Sequence, residues 1–67
     1  MISYAPLFRT MEEHGISSYR LVRMGLPNST YHSIKRGNGM TMKTLNTLCE
    51  LLDCDITDVI EYVKDEK

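Results

Sequence analysis

Apolar residues recur along this chain at three- and four-residue spacings, in successive stretches separated by glycine, serine, asparagine and aspartate. Leu7, Phe8 and Met11 form the first stripe, leaving Arg9, Glu12 and Glu13 to face water. Pro6 suits the first turn of a helix, where its missing N–H is not needed, and Gly15 suits the left-handed residue past the end. The spacing therefore predicts a helix over about Pro6 to His14, with Phe8 in the core. Tyr19, Leu21, Val22 and Met24 supply the contacts of a second helix, capped by Ser17 or Ser18 and ended by Gly25. Tyr31 and Ile34 mark the inward face of a third, with Asn28 as its cap and Gly37 as its stop. After the turn-forming run Gly37-Asn38-Gly39, Thr41 caps a fourth helix, the central apolar element, on Met42, Leu45, Leu48, Cys49 and Leu52. Asp55 and Asp58 read as a capping pair ahead of a fifth helix carrying Val59, Ile60 and Val63, with Ile56 fastening the turn. The β-branched cluster from Ile56 to Val63 is the one place with strand character. The fold class expected is all-α, with five short helices.

Sixty-seven residues, 42% hydrophobic and 25% charged, describe one globular domain over residues 1–67, because so short a chain cannot support two cores. No apolar run approaches the roughly 18 residues of a membrane span, and no basic segment precedes an apolar one at the start, so the expectation is a cytoplasmic chain without a membrane partner. Cys49 and Cys54 have only His14 and His32 as distant companions, which is not a zinc pattern; no metal is expected. Cys49 fits the apolar face of a helix and reads as a buried, reduced thiol; a disulfide with Cys54 is geometrically possible but unexpected in a reducing compartment. Thr10, Ser17, Ser33 and the cysteines lack a base held by an orienting acid, and no glycine-rich phosphate loop is present. No enzyme activity, cofactor or small-molecule ligand follows from the sequence.

Charge changes the picture. Between His14 and Leu48 stand Arg20, Arg23, Lys35, Arg36 and Lys43 with no acid among them, whereas the stretch from Cys49 onward holds seven acids against Lys64 and Lys67. A middle of net +5 inside a chain of net −1 points to a polyanion surface. The same stretch holds two helical patterns joined at Met24-Gly25-Leu26-Pro27, the layout of a helix-turn-helix over about 17–37. If Tyr31 and Ile34 point inward, a turn of about 100° per residue sends Asn28, Ser29, His32, Ser33 and Arg36 outward. Such side chains can bond to base edges or phosphates in a major groove.

These residues carry a resemblance that spans nearly the whole chain. Gly25-Leu26, Asn28-Ser29-Thr30-Tyr31, Ile34 and Lys35-Arg36-Gly37-Asn38, followed by Thr41 to Cys49 and Leu51 to Val59, resemble the Cro and lambda repressor type of helix-turn-helix regulator, the Xre-like family. The resemblance implies a lambda repressor-like DNA-binding domain with its helix-turn-helix formed by helices two and three. It implies base reading by Asn28, Ser29, His32 and Ser33, and a phosphate contact from Thr30. Ser17 or Ser18 would meet the sugar-phosphate chain at the start of helix two, and Lys35, Arg36 and Asn38 would hold phosphates beyond the recognition helix. One departure stands out: the family usually has an apolar residue five positions before the turn glycine and a small one four before, where this chain has Arg20 and Leu21. Either Leu21 takes the apolar role or the two helices cross at an altered angle.

The function implied is a sequence-specific, double-stranded DNA-binding transcriptional regulator, a repressor of phage or mobile-element type. One recognition helix reaches few bases, so a homodimer on an inverted-repeat operator is expected, its half-sites about 34 Å apart. Tyr4 and Tyr62, with Val59, Ile60 and Val63, are either core or a patch for self-association. The alternative is a protein-interaction module, antirepressor or antitoxin-like, whose acidic Glu61 to Lys67 end occupies a partner's basic groove.

Overall fold

The computed structural model describes residues 1–64. Four α-helices follow one another: α1 (Ala5–Glu13), α2 (Ser18–Met24), α3 (Asn28–Lys35) and α4 (Met42–Leu52). A single 3₁₀ turn, Ile56–Asp58, stands where the fifth helix was expected. Strands β1 (Ile2–Ser3) and β2 (Glu61–Tyr62) pair antiparallel, Ile2 opposite Tyr62 and Ser3 opposite Glu61. Asp65, Glu66 and Lys67, the last part of the acidic end, lie outside the described residues.

The fifth helix starts as the sequence predicts and then stops. Asp55 and Asp58 form the capping box, the Asp55 N–H donating to Asp58 Oδ2 at 3.2 Å. Beyond it, α1 takes the carbonyls that a continuing helix would use. The Thr10 hydroxyl donates to the Asp58 carbonyl at 2.7 Å, and the Leu7 N–H donates to the Val59 carbonyl at 3.2 Å. Val59 is fully buried, Ile60 half-buried and Val63 exposed; these β-branched residues lose side-chain freedom in a helix and continue instead into the strand that pairs with the other end. The Val63 N–H donates to the Met1 carbonyl at 2.8 Å, and the Met1 amine donates to the Val63 carbonyl. Ile56, expected to fasten the turn, is exposed.

One cluster forms the core: Leu7, Met11, Leu21, Leu26, Tyr31, Ile34, Leu45, Leu48, Leu52 and Val59. Phe8, expected inside, is 36% exposed. It sits about 100° around α1 from Leu7, off the stripe of Leu7, Thr10 and Met11, and Thr10 fills the stripe because its hydroxyl finds a carbonyl there. Tyr19 and Met42 are likewise exposed rather than packed, each preceding the stripe of its helix. Cys49 is half-buried.

All four helices end in the same way. The residue past the last turn has positive φ, being Gly15, Gly25, Gly37 or Asp53, and the next N–H returns to a carbonyl five residues back. Those return bonds run from Ile16 to Met11, Leu26 to Leu21, Asn38 to Ser33 and Cys54 to Cys49, at 2.8–3.3 Å. This Schellman geometry satisfies carbonyls left open at a helix end and brings together the two side chains it joins. Two of the four pairs, Met11 with Ile16 and Leu21 with Leu26, are apolar and staple the turn to the core.

Candidate nucleic-acid interface

The site begins at the cap of α2. Ser17 is extended, and its hydroxyl accepts the Arg20 N–H at 3.1 Å, so Ser17 rather than Ser18 is the cap. Leu21 is wholly buried and Arg20 exposed. Leu21 therefore takes the apolar role that the family pattern puts one position earlier. Gly25, at φ 132°, turns the chain where a side chain would be strained, and Leu26 drops into the core. Pro27 occupies the cap of α3, and Asn28 is the first helical residue, not the cap. Its carboxamide is thus not used to hold the helix end.

Tyr31 and Ile34 anchor α3, 7% and 1% exposed. The opposite flank stands open: Asn28, Ser29, His32, Lys35 and Arg36 are exposed, while Thr30 and Ser33 are half-buried at its margins. Among the described residues, the side chains of Asn28, Ser29, Lys35 and Arg36 have no hydrogen-bond partner, and His32 meets only the edge of the Tyr31 ring, 6.1 Å between centroids. Two troughs flank the helix. One, of about 470 Å³, lies against α2 and is lined by Ser18, Tyr19, Val22, Asn28, His32 and Lys35 with the Tyr31 ring. The other, of about 330 Å³, lies against the start of α4 and is lined by Ser29, Thr30, Ser33, Thr41 and Thr44 with the chain at Gly39 and Met40. The structure thus divides seven of the ten expected site residues between these troughs; Ser17, Arg36 and Asn38 are exposed but line neither.

Some members of this surface were not singled out from sequence. Tyr19, assigned to the core, is 69% exposed on the α2 lip, where its hydroxyl accepts Arg23 Nη1 at 3.1 Å with the guanidinium 5.8 Å from the ring centre. Its exposure had no separate signal, because an aromatic residue at helical spacing reads as core. Thr41 and Thr44 form the wall of the second trough, the Thr44 N–H donating to Thr41 Oγ1 at 3.1 Å. Lys43 lies between them on the same turn and is exposed, and its place in the acid-free stretch was the available clue.

The arrangement offers amide, hydroxyl, imidazole and cationic groups along one convex helix, with no converging nucleophile and base. Among the described residues, no group of three or more His, Cys, Asp or Glu is placed to hold a metal ion. No described helix is long and apolar enough to cross a membrane. A short helix held out by two buried anchors, ended by a tight turn and edged with cations, defines a helix-turn-helix DNA-binding protein. The chain belongs to the family of Cro/C1-type helix-turn-helix DNA-binding domains, whose model matches residues 7–65. It is similar to the transcriptional regulator VanUg, whose crystal structure aligns with a TM-score of 0.82 at 25% identity, covering 96% of this chain and 87% of that one. The comparison with curated proteins returned no match. The family is a non-catalytic DNA-binding one, so this protein is a sequence-specific DNA-binding regulator of the Cro and Xre-like type.

Proposed function

We propose that this protein is a cytoplasmic repressor that binds an inverted-repeat operator as a homodimer and lays α3 of each copy in the major groove. A groove about 12 Å wide admits a helix about 10–12 Å across. In this reading Asn28, Ser29, His32 and Ser33 read base edges, and Thr30, Ser17 and Ser18 touch the sugar-phosphate chain. Lys35, Arg36 and Asn38 hold phosphates past the end of α3, and occupancy blocks polymerase. The observation that supports it is the flank of α3, where Asn28, Ser29, Lys35 and Arg36 are open to solvent with unengaged side chains while Tyr31 and Ile34 fix the helix from behind. An apolar hollow of about 190 Å³, lined by Ile2, Tyr4, Met40, Met42, Leu45 and Ile60, supports self-association.

Selecting bound sites from a random duplex pool tests the proposal: a palindromic motif is expected, and a motif without symmetry overturns the dimer. Substitution then sorts the contacts. Arg36→Ala or Lys35→Ala weakens binding to every sequence and reduces the salt slope by about 1, whereas Asn28→Ala or Ser29→Ala relaxes preference at one base pair and costs about 1–3 kcal/mol there. Titrations against matched and scrambled duplexes at two salt concentrations check this, and the reverse pattern overturns the assignments.

A further inference from the structure

The last of the four helix-ending turns joins two thiols. Cys49 and Cys54 occupy the positions that are Met11 with Ile16 and Leu21 with Leu26 in the earlier turns, and the Cys54 N–H donates to the Cys49 carbonyl at 3.1 Å. The two earlier pairs are apolar contacts; this one joins two cysteines across a six-residue turn, with the Cys54 thiol hydrogen-bonded to Cys49. Both thiols are reduced and half-buried, and both line an open groove of about 380 Å³ with Met42, Leu45, Asp55 and Ile56. Small thiol reagents can reach them. Neither takes part in the surface around α3.

We propose that Cys49 and Cys54 form a reactive dithiol, a thiol–disulfide exchange site that low-molecular-weight disulfides close to an intramolecular disulfide. The Cys49 thiolate attacks one sulfur of the small disulfide, the sulfur–sulfur bond breaks, and one small thiolate leaves. Cys54 then gives up its proton and attacks the Cys49 sulfur of the mixed disulfide, expelling the second small thiol. The protein loses two electrons and two protons in all, and the small disulfide gains them as two thiols. The order of attack follows from the surroundings. Burial, the neighbouring Cys49 and the carboxylates of Asp58 and Asp55 push the Cys54 thiol up to about 11, which suits Cys54 to the resolving step rather than to the first attack. A disulfide of this kind in a reducing compartment is transient and redox-responsive rather than structural.

The test uses the full chain equilibrated with mixtures of oxidised and reduced glutathione, quenched by alkylation and weighed intact. The wild type is expected to lose the mass of two hydrogens as a monomer, without a lasting adduct, and dithiothreitol should reverse the change. Cys54→Ser is expected to stop at one glutathione on Cys49, with its helical circular dichroism unaltered. A wild-type chain that stays fully reduced, that accumulates glutathione adducts or that cross-links into dimers overturns the proposal, and this arm needs no variant to fold.

Discussion

Thr10 holds a stripe position that periodicity alone would give to an apolar residue, and it is 4% exposed. Its hydroxyl is satisfied by the Asp58 carbonyl, so one hydrogen bond ties α1 to the 3₁₀ turn. Thr10→Val keeps the shape but removes that hydrogen bond, and the loss should be about 0.5–1.5 kcal/mol in a denaturant titration. Asp53 is the opposite case, a side chain where the three other turns have glycine. At φ 51° it sits in the left-handed region, which costs a residue with a Cβ about 1–2 kcal/mol. Glycine removes that strain and returns about 0.5–1 kcal/mol of it as chain entropy in the unfolded state. Asp53→Gly should therefore stabilise the protein by a net amount between about 0 and 1.5 kcal/mol, read as a higher denaturant midpoint with an unchanged slope. Neither effect was visible in the residue types. Thr10 could be placed only once its partner carbonyl was known, and the left-handed Asp53 only once the backbone was traced.

At the level of elements, the helices were legible because each carries its own punctuation. Thr41 caps as read, Ser17 is the cap of the two serines offered, Gly15, Gly25 and Gly37 end their helices, and Asp55 with Asp58 forms the capping box, whereas Asn28 yields the cap of α3 to Pro27. The fifth helix was not legible, because what stops it is non-local: bonds from Leu7 and Thr10 on α1, and pairing with β1. Local signals set where this last helix begins; competition from α1 for its carbonyls sets how far it runs. Gly25 tests the turn between α2 and α3. An added Cβ there would meet Leu51 Cδ2 at an ordinary 3.8 Å, so the penalty comes from φ 132° and not from a clash. Gly25→Ala should destabilise by about 1–3 kcal/mol, measured by thermal unfolding, and weaken specific DNA binding more than it weakens binding to random duplex. Most of the candidate interface was readable from the alternation on α3, since two inward anchors fix every other direction. Tyr19 was missed because exposure of an aromatic residue depends on how α2 is rolled, which its own spacing does not determine.

Across the whole molecule, opposite charges are separated along α4. Its first turn walls the second trough beside α3, while Glu50, Asp53 and Asp55 lie at or past its far end, about 15 Å away at 1.5 Å per residue. That distance exceeds the screening length of about 10 Å at 0.1 M salt. Glu50→Gln with Asp53→Asn should therefore raise affinity for random duplex in dilute buffer and leave it nearly unchanged at physiological ionic strength, as fluorescence anisotropy would show. The charge split was the clearest whole-chain signal in the sequence; the meeting of the two ends was not, because short strands of two residues leave no alternating pattern. That meeting has a kinetic consequence. Joining Ile2 to Tyr62 closes a loop over nearly all the described residues, so the seam between them carries the greatest loop-closure cost and is expected to form late in refolding. The turn between α2 and α3, built from neighbours, can assemble without waiting for it.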